Sequence, residues 1–395
     1  MTIDLQRARA ETIGVNHRIH LNNAGAALVP TPVLDTMTAY LRREAEIGGY
    51  EAADEQADRL NGVYASVARL IGASSDEIAL MENATIAWQM AFYAISFRPG
   101  DRILTSQAEY GANYVAFLQV AKRTGAAIDV IPNDASGALC VPSLERMIDE
   151  RVRLIAITWV PTNGGLVNPA AAVGKIARKA GVLYLLDACQ AVGQIPVDVG
   201  TLGCDMLSAT GRKYLRGPRG TGFLYVRREL MLQLEPPLID HFGAEWVAPD
   251  RYALRPDARR FESWENNYAA RLGLGVAIDY ALSIGIEPIM SRARLLADLM
   301  RAALMRIPGV EIRDLGTERA AIVTFTVEGV EASDVKARLA AQGINVTTSQ
   351  PSSTLLDATV RSLPTVVRAS PHYYNSEEEV HRFSEAIAAF VRKDS

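Results

Sequence analysis

Residues 184–226 read YLLDACQAVGQIPVDVGTLGCDMLSATGRKYLRGPRGTGFLYV. The apolar run Leu183–Leu186 delivers Asp187, and Gln190 follows three residues later. A second stretch, Asp205–Ala209, delivers Thr210-Gly211-Arg212-Lys213. The turn Gly217-Pro218-Arg219-Gly220 then leads into a third run, Gly222–Val226. Short apolar runs bounded by turn residues read as strands buried on both faces. Alone, Asp187 is an ordinary cap and Lys213 an ordinary solvated charge. Together, at the ends of neighbouring strands, they are what a pyridinium-bearing aldehyde requires. The lysine forms the Schiff base, and the carboxylate keeps the ring nitrogen protonated so that the ring can accept electrons. A lysine desolvated in that setting has a lowered pKa and is a competent nucleophile. The stretch therefore predicts a pyridoxal 5′-phosphate site with Lys213 as its Schiff-base residue.

Working outward, the chain upstream alternates short apolar strands (Glu77–Met81, Arg102–Ser106, Ala127–Pro132, Arg153–Val160) with helical stretches (Asn83–Phe97, Tyr110–Thr124, Pro142–Asp149, Pro169–Ala180). Such alternation predicts an α/β fold with a mostly parallel sheet covered on both faces, its ligand beyond the carboxyl ends of the strands. Before it, two helices are expected over Pro30–Glu46 and Glu51–Ile71, preceded by an N-terminal arm, residues 1–20. Beyond Val226 the pattern changes. Pro236–Asn267 reads as irregular. Helices Tyr268–Ile284, Pro288–Met305, Ala332–Gln342 and Ser376–Arg392 then alternate with strands Ala320–Thr326, Asn345–Thr348 and Val366–Ser370. This predicts a large domain over 21–255 and a smaller C-terminal α+β domain over 256–395.

Composition narrows the function classes. The 395 residues are 49% hydrophobic, enough for a sizeable core, and 41 Lys and Arg against 45 Asp and Glu leave a net charge of −4. With no basic block, nucleic acid and membrane surfaces are not expected partners. The cysteines Cys140, Cys189 and Cys204 suit neither a disulfide framework nor a metal site, and the five histidines do not cluster. A reducing cytoplasm is the expected setting. The first residues carry no apolar run of the kind that directs secretion.

Two further motifs carry chemistry. Glu82-Asn83-Ala84-Thr85 stands at a strand-to-helix turn. Free N–H groups there, with the Thr85 hydroxyl, suit a phosphate, although an Asn83 N-cap alone explains the same residues. Arg368 lies in the otherwise apolar Val366–Ser370. A strand arginine facing a site binds a carboxylate bidentately, and one at a sheet edge forms a salt bridge instead.

In this order and spacing the motifs resemble the class-V aminotransferase, or cysteine desulfurase-like, group of fold-type I pyridoxal phosphate enzymes. The resemblance runs over nearly the whole chain, through Asn-Ala-Thr, Asp-x-x-Gln, the Lys213 segment and Arg368-x-Ser370…Tyr374-Asn375. It implies a large domain with a mostly parallel, seven-stranded type of sheet and a homodimer with the site at its interface. Ala84 and Thr85 would bind phosphate, with Thr210 and Arg212. Asp187 would pair with the ring nitrogen, and Gln190 would contact the ring hydroxyl. Thr162 or Asn163 would lie near that hydroxyl, and Tyr110 would stack on the ring where many relatives place histidine. Lys213 would be the proton shuttle, and Arg368 would hold the α-carboxylate of an amino-acid substrate.

Departures from the family pattern bear on the reaction. Arg260-Phe261-Glu262 is followed by Ser263-Trp264-Glu265 where many relatives carry Gly-Thr, so a phosphate clamp from a neighbouring subunit is not expected. Thr347–Val367 contains no cysteine, where persulfide-forming relatives carry their nucleophile. Lys213 alone leaves β-elimination, racemisation and transamination. Arg42–Tyr50 and Gly211–Gly220 look like the C–S lyases of ergothioneine biosynthesis, which favours elimination from an S-substituted cysteine or its sulfoxide. An epimerase, an aminotransferase, a cysteine or selenocysteine desulfurase-type lyase, and a non-catalytic protein on the same fold are the alternatives.

Overall fold

Strand ends, not loops, decide where chemistry can sit in this chain. A computed structural model describes residues 3–393. The first part runs α1 (Leu5–Ala10), β1 (Ile19–His20), α2 (Thr31–Ile47), α3 (Gly49–Glu55), α4 (Ala57–Ile71), β2 (Ile78–Met81), α5 (Ala84–Tyr93), β3 (Arg102–Ser106), α6 (Gly111–Thr124) and β4 (Ala127–Ile131). It continues with α7 (Val141–Met147), β5 (Val152–Thr158), α8 (Ala170–Ala180), β6 (Leu183–Asp187), α9 (Val199–Leu202), β7 (Met206–Thr210), β8 (Gly222–Val226) and α10 (Arg228–Met231). Seven strands form one sheet in the order β2-β8-β7-β6-β5-β3-β4. Only β8 runs against its neighbours, β2 and β7.

The central strands β6, β7 and β8 are buried almost throughout because helices cover both faces, which is why they read as apolar runs. Strand order reverses between β3 and β5, so the crevice beyond their carboxyl ends is the expected ligand position. Register puts Thr158 beside Asp187, and Asp187 beside Ser208, at that edge.

The second part runs β9 (Ala244–Ala248), β10 (Arg251–Leu254), α11 (Tyr268–Ile284), α12 (Ile286–Leu304), β11 (Val310–Ile312), β12 (Val323–Val327), α13 (Ala332–Ala341), β13 (Ile344–Asn345), β14 (Thr347–Ser349), α14 (Leu355–Val360), β15 (Val366–Ala369) and α15 (Glu377–Lys393). Its sheet is antiparallel, ordered β11-β12-β15-β14. Helix α11 packs over α2 and α4. Near the start of the chain, β1 pairs in parallel with β13, and Asn22 bridges to Ser370. No single described helix is long and apolar enough to cross a membrane.

Three expectations need correction. The single helix over Glu51–Ile71 is two, α3 and α4, broken at Gln56, whose backbone (φ −107°, ψ 12°) leaves the helical region. The irregular stretch Pro236–Asn267 contains the antiparallel hairpin β9–β10. Its strands are exposed on both faces, so no polar–apolar alternation marks them. The basic segment Arg251, Arg255, Arg259 and Arg260 reads in sequence as surface, with a substrate entrance as the alternative, yet not all of it is exposed. Arg260 is buried and donates to the backbone carbonyls of Met231 and Arg255.

The turn after Lys213 is held from behind by buried groups. Arg216 takes a left-handed conformation (φ 59°) and donates to Thr12, Leu28 and Tyr373. His372 donates through Nε2 to the Tyr214 carbonyl at 2.9 Å and accepts from the Tyr373 N–H through Nδ1 at 2.9 Å. With Nδ1 committed as an acceptor and the ring buried, the ring is held neutral, its pKa pushed down to about 3. The unfolded chain takes up that proton near pH 6.5, and the folded chain refuses it until far lower. Stability from this group is complete above pH 6.5 and is lost as pH falls toward 3, by about 5 kcal/mol in all. Urea denaturation of the protein and of His372→Gln at pH 7 and pH 4 should differ in slope by about one proton. Equal slopes would remove His372 from the account.

Candidate active site

A cavity of about 430 Å³ opens at the strand-order reversal. Asn83, Ala84, Thr85, Ile86, Tyr110, Thr158, Val160, Thr162, Asp187, Cys189, Gln190, Thr210, Arg212 and Lys213 line it. Elements far apart in sequence thus converge: the N-terminus of α5, the turn before α6, and the ends of β5, β6 and β7.

Asn83 caps α5 by accepting from the Ile86 N–H at 2.9 Å. The cap leaves the Ala84 and Thr85 N–H groups without an acceptor in the helix, turned to the cavity end. Both readings of the motif, cap and anion cradle, are therefore compatible. Gly222 makes the arrangement possible. A Cβ there would stand 2.7 Å from the Ala209 carbonyl oxygen and 2.9 Å from the Asn83 carbonyl carbon. Opposite, Arg212 donates to the Gly25 carbonyl, and the Thr210 hydroxyl donates to the Thr221 carbonyl at 3.2 Å. Thr210 therefore presents an acceptor to the cavity, and a phosphate contact requires its hydroxyl to turn.

Asp187 forms the floor. Its Oδ1 accepts from the Cys189 N–H at 2.9 Å and its Oδ2 from Asn113 Nδ2 at 3.0 Å. Among the described residues, no group accepts a hydrogen bond from the Lys213 amine. Burial lowers its pKa, with Cys189 and Asp187 acting in the opposite sense. A buried, unpaired amine with a depressed pKa is ready to attack a carbonyl carbon. The Cys189 thiol is pushed up to about 12, first by burial and then by Asp187. It is a neutral thiol at physiological pH.

Thr162 lines the cavity and Asn163 does not. The Asn163 amide donates to Thr354 Oγ1 at 2.8 Å, and its carbonyl accepts from Ser349. Arg368 stands behind Thr162 and donates to its hydroxyl. It is buried on β15 with no carboxylate within ion-pair distance among the described residues, and burial pulls its pKa down to about 10. Glu262 faces inward, accepting from the Leu80 N–H, Tyr64 and Arg271, so its charge is spent on the fold.

Sequence reasoning missed Glu109 and Asn113, which lie on either side of Tyr110. Glu109 directly precedes the N-cap Tyr110 of α6 and Asn113 lies in that helix's first turn, so their spacing across the helix start was the available signal.

Among the described residues, six buried side-chain atoms lack partners, among them Gln190 Oε1 in the cavity wall and Arg368 Nε behind Thr162. Orphaned buried polar atoms are rare and point to a missing group. A ring hydroxyl would satisfy the first, and a carboxylate the second. With the α5 cradle, the Asp187 floor and the Lys213 amine, the donor set fits pyridoxal 5′-phosphate.

Comparison with known proteins agrees. The class-V aminotransferase family profile matches residues 19–383. A protein of Xylella fastidiosa described as a probable cysteine desulfurase is 33% identical over 387 residues, 95% of this chain and 91% of its own. One from Methanothermobacter thermautotrophicus, described in the same words, is 30% identical over 375 residues, 93% of this chain and 94% of its own. The solved apo structure of a cysteine desulfurase from Thermococcus onnurineus NA1 superimposes with a TM-score of 0.92 at 28% identity, covering 100% of this chain and 99% of that one. The chain belongs to the class-V aminotransferase family, on the α/β fold of the pyridoxal 5′-phosphate enzymes.

Proposed function

We propose that this chain is a pyridoxal 5′-phosphate-dependent carbon–sulfur lyase that acts on an S-substituted cysteine, or its sulfoxide, by β-elimination. The observation that carries the reading is the state of its thiols. Relatives described as cysteine desulfurases set the expectation of cysteine chemistry. Yet no thiol occupies the segment Thr347–Val367, which is folded as β14 and α14. Cys189, the one cysteine lining the cavity, is held protonated. A persulfide on the enzyme needs a thiolate nucleophile, and this cavity supplies none.

When bound, the cofactor supplies an electron sink for the pair left at Cα. Ala84 and Thr85 would hold its phosphate, and Asp187 would hold the proton at its ring nitrogen. Arg368, steadied by Thr162, orients the α-carboxylate. Lys213 takes the proton from Cα and returns one to the departing sulfur. Cleavage of the Cβ–S bond releases a thiol, or a sulfenic acid from a sulfoxide. The three-carbon fragment hydrolyses to pyruvate and ammonia.

Incubation of the cofactor-loaded protein with S-alkylcysteines and their sulfoxides should yield pyruvate and ammonia in equal amounts with no 2-oxo acid added. An absolute need for such an acceptor would instead indicate transamination, and inversion at Cα alone would indicate an epimerase. Sulfur carried covalently on the protein after incubation with free cysteine would overturn the elimination reading. Absence of a visible absorption band after addition of the cofactor would overturn the cofactor itself.

A further inference from the structure

Glu109 is a buried carboxyl that the mechanism above does not use. It follows β3 and bridges β3, β5 and α6. Its Oε1 accepts from Asn113 Nδ2 at 2.9 Å, Thr158 Oγ1 at 2.6 Å and the Tyr110 N–H at 3.1 Å. Its Oε2 accepts from the Thr158 N–H at 2.9 Å and Thr105 Oγ1 at 3.1 Å. So many donors on one carboxyl make it over-determined in position.

The Asn113 amide is the link. It donates to Glu109 at 2.9 Å and to Asp187 at 3.0 Å. A primary amide has two N–H bonds, so both are spent on carboxyl groups. One side chain thereby fixes the distance between a carboxylate that faces the cavity and a carboxyl that does not. No arginine or lysine pairs with Glu109 among the described residues. The titratable groups facing it are Asp187 and Tyr184, both on β6. Tyr184 is held neutral by burial and donates to the Ala170 carbonyl. Among the described residues, Asp187 is the charged group that acts on Glu109.

We propose that Glu109 is a positioning residue for the reaction: through Asn113 it orients Asp187 and sets the electric field at the cofactor's ring nitrogen. A neutral Glu109 leaves Asp187 as the sole negative charge under the ring. An ionised Glu109 places a second one behind it, in a low-dielectric interior where the effect reaches across a few ångströms. More negative charge strengthens the hold on the ring proton. Burial pushes the Glu109 pKa up to about 7, with the surrounding donors opposing it. The switch between the two fields therefore falls in the physiological range.

The inference rests on the proposed cofactor, and one set of titrations separates the two. The cofactor-loaded protein is titrated from pH 5.5 to 8.5 by visible absorption, alongside Glu109→Gln and Asn113→Ala. The unsubstituted protein should show a spectral transition with its midpoint near pH 7. Glu109→Gln, which mimics the neutral acid, should lose that transition and keep the low-pH spectrum throughout. Asn113→Ala keeps Glu109 but removes the link, and should shift the midpoint by half a unit or more. A Glu109→Gln variant that titrates like the unsubstituted protein overturns the proposal, as does a pH-invariant band in the unsubstituted protein. Should Glu109→Gln fail to fold, an unmoved midpoint in Asn113→Ala overturns it equally. Infrared titration of the cofactor-free protein supplies an independent reading, because a protonated-carboxyl stretch should disappear near pH 7. Absence of any visible band after cofactor addition sinks the cofactor reading and this inference with it, whereas a normal band without the transition sinks this inference alone.

Discussion

Lys213→Ala loses at least about 10⁴-fold in turnover of S-substituted cysteines, while its thermal transition stays within a few degrees of the unsubstituted protein. A positioned acid–base group contributes about 10² to 10⁴, and on the proposed reading this one would also anchor the cofactor covalently. The fold does not depend on the side chain. No group accepts a hydrogen bond from its amine among the described residues, and burial opposes its charge. What holds the turn is the backbone bond from the Arg216 N–H to the Lys213 carbonyl at 2.9 Å, and the Arg216 contacts behind it. Alanine keeps both. The visible band of the bound cofactor should change with the activity, since a free aldehyde replaces the lysine-linked form. Retention of more than a few per cent of the turnover would show that another base removes the Cα proton.

Arg368→Leu separates function from stability, with opposite signs. The guanidinium is buried on β15, and its Nε has no partner. A buried charge without a counter-charge is costly, and replacing it by an apolar side chain of similar bulk often stabilises. The variant should therefore unfold at higher denaturant. In the same protein, kcat/KM should fall by about 10² to 10³-fold, mostly through KM. Truncating one partner of a buried, hydrogen-bonded charge pair costs about 2–5 kcal/mol, and on the proposed reading the variant leaves the substrate carboxylate without its partner. A variant that is destabilised and still turns over normally would make Arg368 a structural residue.

Much of the site was legible in sequence for one physical reason. Strands buried on both faces must be apolar, so a polar residue at the end of such a run stands out. Asp187 and Lys213 were found in this way, and Thr210 with them. Arg368 stood out as a charge within an apolar strand. The Glu109–Asn113–Asp187 link was not legible, because Asn113 reaches Asp187 only when β3, β5 and β6 lie side by side. That adjacency follows from strand order, which local periodicity does not encode. The same limit applies to the choice between Thr162 and Asn163. Both are small polar neighbours, and the Asn163 amide is drawn away by Ser349 and Thr354, nearly two hundred residues on. The break at Gln56 escaped because residues 51–59, EAADEQADR, contain neither Gly nor Pro to mark it. The hairpin Ala244–Leu254 escaped because neither of its faces is covered.

The pairing of β1 with β13, and of Asn22 with Ser370, has a consequence for how the molecule is made. Ribosomes add about 5–20 residues per second. The seven-stranded sheet is complete at Val226, with Asp187 at the end of β6 and Lys213 in the turn between β7 and β8. Arg368 and the strand that closes over the chain's beginning emerge on the order of ten seconds later. During that interval the nascent chain carries the lysine and the floor carboxylate but not the arginine. On the proposed reading, the residues for cofactor capture thus leave the ribosome before the residue for substrate capture.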